Sequence, residues 1–222
     1  DVLKGDRPHI LVDPGHVGNE LGQKCLEHLI DSLKSDGISP QQLGIIIDTH
    51  THIDHYEANQ ALVEKSRKAV QGKTDQAMIA LHKDADIYRK TTGARWAAIL
   101  GRNSDFTASF YIKEGALDLG QNSKVDLEII ETPGHAPGEV CIYWPAKKVL
   151  ITGDIIFVGG LGRTDLPGGD GNQLKESIER LSKYDVEYLL TGHEAGYGSI
   201  LTGKDKIAQN FNFLRANYYP WL

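Results

Sequence analysis

The chain of 222 residues has little cysteine and no long apolar run. Two cysteines, not spaced as Cys-x-x-Cys, exclude a disulfide scaffold, a zinc-thiolate site and a thioredoxin-like motif. The longest apolar runs, Val149 to Ile151 and Ile155 to Val158, are far shorter than the roughly 20 residues of a transmembrane helix. We therefore expect no membrane span, and the reducing cytoplasm is the compartment that best fits the cysteine content.

The sequence also lacks a cluster of positive charge. It carries 24 basic and 30 acidic side chains, for a formal net charge of -6. Phosphate backbones require clustered Lys and Arg, so we expect no nucleic-acid partner. The N-terminal stretch has no charged segment leading into an apolar one, so no signal peptide is visible, although a removed segment would leave no trace.

The length predicts one domain with a hydrophobic core of its own. In the first half, apolar spacing and Gly or Pro boundaries predict alternating strands and helices. These predicted elements are a strand at His9 to Val12, a helix from Leu21 to Leu33, a strand at Leu43 to Ile47, a helix at Ala58 to Val70, a strand at Ala77 to Leu81 and a helix at Asp84 to Lys90 that ends at Gly93.

The second half favours antiparallel pairing, because short strands follow one another closely. The predicted elements are strands at Val125 to Ile130, Val140 to Trp144 and Val149 to Thr152, a helix at Gln173 to Lys183, a strand at Val186 to Leu190 and a helix at Asp205 to Tyr218. The weakly patterned stretch from Ala94 to Gly120 is interpreted as a lid or insertion.

The feature that composition does not explain is the nine histidines, three of them within six residues. The tract His50-x-His52-x-Asp54-His55 directly follows a predicted strand. In an extended stretch His50 and His52 point the same way, and a turn at Ile53 would carry Asp54 and His55 to a second position. The tract could therefore supply ligands to two metal ions. Any one of these residues alone could instead be a surface histidine or an Asp that caps the following helix.

Three later residues each follow a predicted strand in a Gly-rich turn: His135, Asp154 and His193. Ends of strands in open sheets are where ligands bind. Imidazole and carboxylate suit zinc, iron or manganese, and the absence of cysteine favours an open catalytic site over a structural zinc site. The remaining histidines with no paired spacing are assigned structural roles, among them His16, which follows the turn Asp13-Pro14-Gly15.

At these residues the sequence resembles the metallo-beta-lactamase superfamily, from about His9 to His193. The resemblance implies an α/β fold, a single-domain αββα sandwich with metals at one edge. It implies two divalent transition-metal ions as cofactors, with zinc favoured and iron or manganese as alternatives. The implied ligands are His50, His52 and His135 for one ion, Asp54, His55 and His193 for the other, and Asp154 as a bridge between them.

Within the superfamily, the turn from Gly159 to Asp170 and the stretch TPGHAPGEVCIY look like the glyoxalase II-like branch, whose members hydrolyse thioesters. Persulfide dioxygenases share the Arg163-Thr164-Asp165 turn but use a single iron and oxygen, so this turn does not separate the two. A lactonase of the same fold and a metal-binding protein without catalysis are further alternatives. In the hydrolase, a hydroxide between the metals attacks the carbonyl, and Asp54 orients it or takes its proton.

The sequence departs from the family pattern in two places, and each departure leads to a prediction. Tyr56 and Glu57 stand where the family commonly has small residues, so we expect them to alter the rim of the site. One helix follows the site where larger glyoxalase II enzymes carry a helical glutathione-binding domain, so we expect glutathione to be held weakly. The aromatic residues near the C-terminus fit either the core or a contact within a homo-oligomer.

Overall fold

The computed structural model describes residues 8–70, 73–102, 105–119 and 125–222. The α-helices in these ranges are α1 (Cys25–Ser35), α2 (Ile53–Tyr56), α3 (Asn59–Ser66), α4 (Lys83–Tyr88), α5 (Ala94–Ile99), α6 (Gly171–Leu181) and α7 (Lys204–Asn217). The strands are β1 (His9–Val12), β2 (Leu43–Ile47), β3 (Lys68–Val70), β4 (Lys73–Asp75), β5 (Met78–His82), β6 (Phe110–Ile112), β7 (Gly115–Leu117), β8 (Leu127–Glu131), β9 (Val140–Trp144), β10 (Val149–Ile151), β11 (Ile156–Phe157), β12 (Gly160–Leu161), β13 (Tyr188–Leu190) and β14 (Ile200–Thr202).

The chain divides into two compact units, which are described separately. The first unit comprises Asp1–Leu81, Asp86–Tyr111 and Leu119–Ser123. The second comprises His82–Ala85, Ile112–Asp118 and Lys124–Leu222. That the chain folds as one domain therefore stays a prediction.

The sheet of the first unit has the strand order β1-β2-β5-β6. Strands β1 and β2 pair in parallel, and so do β2 and β5. All five residues of β2 are buried, as expected of a parallel strand that is covered on both faces. Its apolar run, Ile45 to Ile47, leads directly into the histidine tract, so the core of this unit positions that tract.

The sheet of the second unit has the order β14-β13-β10-β9-β8-β7. From β7 to β10, each strand pairs antiparallel with the next one along the chain, whereas β10 pairs in parallel with β13. Helices α6 and α7 supply the buried side chains Leu174, Ile178 and Phe211 to the apolar core. Helix α6 begins after Asp170, whose carboxylate accepts hydrogen bonds from the backbone N–H groups of Asn172 and Gln173.

The predicted α/β class is confirmed, and so are the strands at His9 to Val12 and Leu43 to Ile47. The predicted antiparallel texture after residue 125 is also confirmed. Three helix boundaries were wrong. Helix α1 begins at Cys25, because the Asn19 side chain accepts from the N–H groups of Leu21 and Gln23 and closes a turn there, leaving Leu21 84% exposed.

The predicted helix at Ala58 to Val70 ends at Ser66 and is followed by the antiparallel pair β3 and β4. The Ser66 hydroxyl donates to the Val63 carbonyl and accepts from the Ala77 N–H, which ties the helix end to the start of β5. The helix predicted to end at Gly93 continues instead. A π-helical stretch, Arg89–Gly93, joins α4 to α5.

The stretch from Ala94 to Gly120, interpreted above as a lid or insertion, contains α5, β6 and β7. Strand β6 lies at the edge of the first sheet and β7 at the edge of the second. Residues 103, 104 and 120 lie outside the described residues. A covering role for this stretch stays a prediction. In the described part of the chain, no helix combines the length and the hydropathy that a bilayer span requires.

Candidate metal centre

The histidine tract of the first unit is compact and mostly buried. His50 and His55 are buried, and their ring centroids lie 4.0 Å apart. The rings of His50 and His52 meet edge to face, with centroids 4.8 Å apart. Strand β2 ends at Ile47, the backbone bends at Thr49 and His50, and α2 begins at Ile53. The turn predicted at Ile53 is present as α2, whereas the stretch before it is not continuously extended.

Asp13 supports this tract from the end of the neighbouring strand β1. One carboxylate oxygen accepts from the Thr49 N–H at 2.8 Å. The other accepts from the Thr49 hydroxyl at 2.7 Å and from His55 Nδ1 at 3.0 Å. Because β1 and β2 are parallel neighbours, their carboxyl ends place Asp13 beside the residues that follow β2.

These hydrogen bonds determine the tautomers of two histidines. A carboxylate only accepts, so His55 must donate its Nδ1 proton to Asp13. The single Thr49 hydroxyl proton goes to Asp13, so Thr49 must accept from His50 Nδ1 at 3.1 Å. In the neutral rings, Nε2 of both histidines then carries the lone pair that a metal ion needs.

Two carboxyl groups lie in the same region, those of Asp13 and Asp48. Asp48 is fully buried at the end of β2, and its carboxylate accepts from the Asn59 amide at 2.7 Å. Burial raises the pKa of Asp48 well above its ordinary value, and the nearby charge of Asp13 raises this pKa further. The ligand atoms of Asp13, His50 and His55 lie within 4.8 Å of one another, so the supporting carboxylate lies close to both histidines.

In the second unit, three turns bring the later candidates together. Asp154 and His193 follow the parallel neighbours β10 and β13, and the Gly192 N–H donates to the Gly153 carbonyl at 2.8 Å. One Asp154 carboxylate oxygen lies 3.4 Å from His193 Nε2 and 3.5 Å from His135 Nε2. Ligand atoms about 2.1 Å from a tetrahedral ion lie about 3.4 Å apart, so this spacing suits a shared cation.

His135 is oriented by the backbone. Its Nδ1 donates to the Arg163 carbonyl at 2.7 Å, which again leaves the lone pair on Nε2. Gly162 passes so close that a Cβ there would overlap the Asp154 carbonyl and approach His135 Nδ1. A Cβ on Gly192 would overlap the Asp154 carboxylate. The close approach of the turns that carry His135, Asp154 and His193 therefore requires glycine at these two positions.

Glu139 connects two of these turns through its side chain. It is 1% exposed, and its two carboxylate oxygens accept from the Asp154 N–H at 3.0 Å and the Ala136 N–H at 3.2 Å. The turn after β8 and the turn after β10 are thereby held to one carboxylate. The orientation of Asp154 and His135 thus depends on residues that are not themselves candidate ligands.

The structure therefore brings the seven predicted residues together in two groups, one in each unit. The first group is His50, His52, Asp54 and His55, and the second is His135, Asp154 and His193. Ligand sets that combine the two groups stay predictions. Sequence reasoning missed the supporting residues Asp13, Thr49 and Glu139. The only signal was position, since Asp13 closes a strand and Thr49 and Glu139 adjoin ligands or their turns.

The expectation that Tyr56 shapes a rim was wrong. Tyr56 is 2% exposed, and its ring packs against Phe106 with centroids 5.6 Å apart. Burial raises the pKa of Tyr56 to about 12, so the phenol stays protonated. The Arg89 guanidinium stacks over Phe106 at 3.9 Å, which adds to the buried packing behind α2.

Comparison with known proteins identifies the family of this chain. The family model of the metallo-beta-lactamase superfamily matches residues 2–193, a range that contains all seven predicted residues. The chain belongs to the metallo-beta-lactamase superfamily. Membership supports a metal-dependent hydrolase.

Similar proteins within the superfamily include both hydrolases and a protein of known structure that binds iron. The chain is 32% identical to a probable metallo-hydrolase of Methanocaldococcus jannaschii, over 87% of this chain and 84% of the relative. It is 29% identical to a hydroxyacylglutathione hydrolase of Haemophilus influenzae, over 90% of this chain and 85% of the relative. A protein crystallised in a di-iron-bound form is 28% identical, with a TM-score of 0.64 over 95% of this chain and 88% of that one.

Proposed function

We propose that the chain is a metal-dependent hydrolase of thioesters or related esters, with a centre for two divalent transition-metal ions. The proposed ligands are those implied by the superfamily: His50, His52 and His135; Asp54, His55 and His193; and Asp154 as the bridge. Zinc is the favoured ion, with iron and manganese as alternatives. A small-molecule substrate, a cytoplasmic location and the absence of nucleic-acid and membrane partners belong to the same proposal.

One observation carries this proposal: three of the histidines are held through Nδ1. His55 donates to a carboxylate, His50 to a hydroxyl that is committed to the same carboxylate, and His135 to a carbonyl. Histidines that only pack in a core do not require the same tautomer at three positions. Fixing Nδ1–H and presenting Nε2 is the usual arrangement of metal-ligating histidine.

The donor set fits a catalytic rather than a structural ion. It consists of imidazole and carboxylate without thiolate, which suits zinc, iron or manganese in an open site. Among the carboxylates, Asp154 is nearly buried, whereas the Asp54 side chain is 34% exposed. Asp154 suits a bridging ligand, and Asp54 is open to solvent water.

When bound, a divalent ion pair would supply Lewis acidity and lower the pKa of a coordinated water toward about 7. The chain itself would orient the water through the Asp54 carboxylate, which can hold the proton that the nucleophile releases. Water adds to the thioester carbonyl carbon, the carbon–sulfur bond breaks, and the products are a carboxylic acid and a thiol. The named hydrolases among the relatives support this reaction class.

The first experiment counts the metal. Protein purified without added metal, and then loaded with zinc, iron or manganese in turn, should bind two equivalents per chain by elemental analysis. The seven proposed ligands are more than one open site can use. A wild-type chain that binds at most one equivalent of each ion would overturn the dinuclear proposal and favour a mononuclear iron enzyme.

The second experiment separates hydrolysis from oxygen chemistry. Hydrolysis needs only Lewis acidity, so the zinc-loaded protein should cleave a thioester without oxygen. Dioxygen activation needs an ion that changes its electronic state. Rapid oxygen uptake by the iron-loaded protein with glutathione persulfide, with thioesters ignored by both forms, would replace the hydrolase by a persulfide dioxygenase. Cleavage of lactones but not of thioesters would keep the hydrolase and change its substrate.

The third experiment tests the ligands. His52→Ala and His193→Ala should each abolish turnover with an unchanged circular dichroism spectrum, because the core does not depend on either side chain. His28→Ala is the matched control, since His28 is exposed on α1 and should retain wild-type activity. Loss of cooperative folding in either ligand variant would show a structural rather than a catalytic metal role.

A further inference from the structure

Glu57, where the superfamily pattern has a small residue, forms an ion cluster next to the metal-ligand tract. One Glu57 carboxylate oxygen accepts from Arg102 at 2.6 Å, from His16 Nδ1 at 2.7 Å and from the Val17 N–H at 3.1 Å. The side chains of all three charged or titratable residues are mostly buried, at 11% exposure for Glu57, 15% for His16 and 13% for Arg102. An ordinary surface ion pair is far more exposed than this cluster.

The cluster holds the loop after β1 against α2. The Gly15 N–H donates to the His55 carbonyl at 2.9 Å, and the Gly15 carbonyl accepts from the Ala58 N–H at 3.0 Å. Glu57 adds the next attachment along the same loop through His16 and Val17. The loop and the helical turn that carries Asp54 and His55 are therefore joined by both backbone and side-chain hydrogen bonds.

The same loop begins with Asp13, which accepts the Nδ1 proton of His55. Asp13 has a positive φ of 48°, a backbone conformation that a residue with a Cβ adopts only where its surroundings enforce it. Attachments on the C-terminal side of Asp13 supply such enforcement. A shift of this loop would lengthen the bond between Asp13 and His55.

Arg102 fixes the cluster from the end of α5. Its backbone N–H donates to the Ala97 carbonyl at 2.8 Å, so its position is set by that helix end. The guanidinium donates to Glu57, to the Gly18 carbonyl at 2.8 Å and to Glu20 at 2.7 Å. Because a guanidinium has several donors in a rigid plane, one side chain joins α5, the loop and the residue after α2.

From this geometry we propose that Glu57 and Arg102 are positioning residues for the metal centre. They clamp the Asp13–His16 loop against α2 and so keep His55 in the orientation and tautomer that bind metal. Neither residue is a ligand, and neither contacts the reacting atoms. This inference rests on the proposed metal function and assigns the departure at Glu57 a role that the family pattern does not predict.

The test is a cobalt titration monitored by the visible d–d absorption of the protein, which reports ligand geometry independently of turnover. Wild type should take up two equivalents. Glu57→Ala should bind the second equivalent about tenfold more weakly. Loss of a residue that supports a metal ligand typically lowers metal affinity by about 10–100-fold. Arg102→Met should show a smaller loss, and Arg102→Lys, which keeps the charge, should recover part of it.

Two control variants give the upper and lower limits of the expected loss of affinity. Asp13→Asn, which acts on His55 directly, should lose at least as much affinity as Glu57→Ala. Glu20→Gln should match wild type, because the Glu20 side chain is 68% exposed and the amide oxygen that replaces its carboxylate can still accept from Arg102. If Glu57→Ala does not fold, Glu57→Gln takes its place with an expected loss smaller than that of Glu57→Ala, since the amide oxygen still accepts hydrogen bonds but the negative charge that pairs with Arg102 is gone.

The outcomes distinguish this inference from the proposed function. Wild-type protein that binds fewer than two cobalt equivalents contradicts the dinuclear function itself. Wild type with two equivalents, an impaired Asp13→Asn variant and Glu57 variants with unchanged affinity and spectrum would overturn only the positioning role.

Discussion

The two groups of candidate ligands contain the same kinds of side chain but are supported differently. In the first unit, four candidate ligands lie within six residues, and His50 and His55 are oriented by other side chains, those of Asp13 and Thr49. In the second unit, the candidate ligands are spread over three turns, which the Glu139 carboxylate and closely approaching backbone groups hold together. A carbonyl holds His135, and closely approaching glycines surround Asp154.

The difference follows from how each group is brought together. A contiguous tract needs only one strand end, so its support comes from the neighbouring strand through a carboxylate. Separated ligands need the turns themselves to meet, and turns meet most closely where no Cβ intervenes. We therefore expect the residues that support the first group to be sensitive to changes of charge and the glycines that support the second to changes of volume.

The largest effect is expected at Asp154, the proposed bridge. Asp154→Asn keeps the shape but replaces an anionic oxygen by an amide, which should weaken both ions. Metal affinity and kcat/KM should fall by more than the roughly 10–100-fold that supporting residues command. Elemental analysis and thioester kinetics measure the two quantities, with Asp165→Asn as a control because Asp165 is exposed and pairs with Arg163. Retention of both ions at wild-type affinity would contradict the bridging role.

Asp13 tests the sensitivity of the first group to charge. Asp13→Asn should weaken metal binding about 10–100-fold, because an amide cannot accept at both positions from Thr49 and His55. Isothermal titration with zinc gives the affinity. Asp31→Asn is the matched control on the exposed face of α1, where Asp31 pairs with Lys34. Equal affinities in the two variants would remove Asp13 from the metal centre.

Gly192 tests the sensitivity of the second group to volume. Gly192→Ala should lower the free energy of unfolding by about 1–3 kcal/mol, the usual cost of overpacking, because the added Cβ overlaps the Asp154 carboxylate. Metal affinity should fall as well. Gly160→Ala is the control, since the nearest atom to its added Cβ is the Ala195 side chain at 3.3 Å. Urea unfolding of both variants measures their free energies of unfolding. A Gly192→Ala variant as stable as wild type would contradict the expected sensitivity of the second group to volume.

The smallest effect is expected for an ion pair that belongs to neither group. Glu179 accepts from Arg215 at 2.6 Å, and this hydrogen bond is the main cause that lowers the pKa of Glu179 below its ordinary value of 4.5. Because the Glu179 side chain is 44% exposed, Glu179→Gln should cost less than about 1 kcal/mol of unfolding free energy.

The pH dependence of this pair has a definite sign. A lowered native pKa stabilises the fold above pH 4.5, and that contribution disappears as the pH falls through the native pKa. The difference in unfolding free energy between wild type and Glu179→Gln should therefore be present at neutral pH and fade in acid. A difference that persists unchanged below about pH 2, or a change in metal affinity, would be inconsistent with a peripheral ion pair.

Much of this protein could be predicted from the sequence because the signals are local. The apolar run at Leu43 to Ile47 predicts its strand, and the tract that follows predicts the turn at Ile53, where α2 begins. Both depend on residues only a few positions apart. The same holds for the antiparallel strands after residue 125, which Pro and Gly turns separate.

Only the tertiary structure decided what depends on distant parts of the chain. The end of α3 at Ser66 depends on Ala77, and the tautomer of His55 depends on Asp13. The burial of Tyr56 depends on Phe106, and the role of Glu57 depends on Arg102. In each case the deciding contact joins residues that are adjacent only after the chain folds, because strand pairing and core packing set those distances. Local propensity therefore determined the elements and the ligand types, and packing determined their orientation.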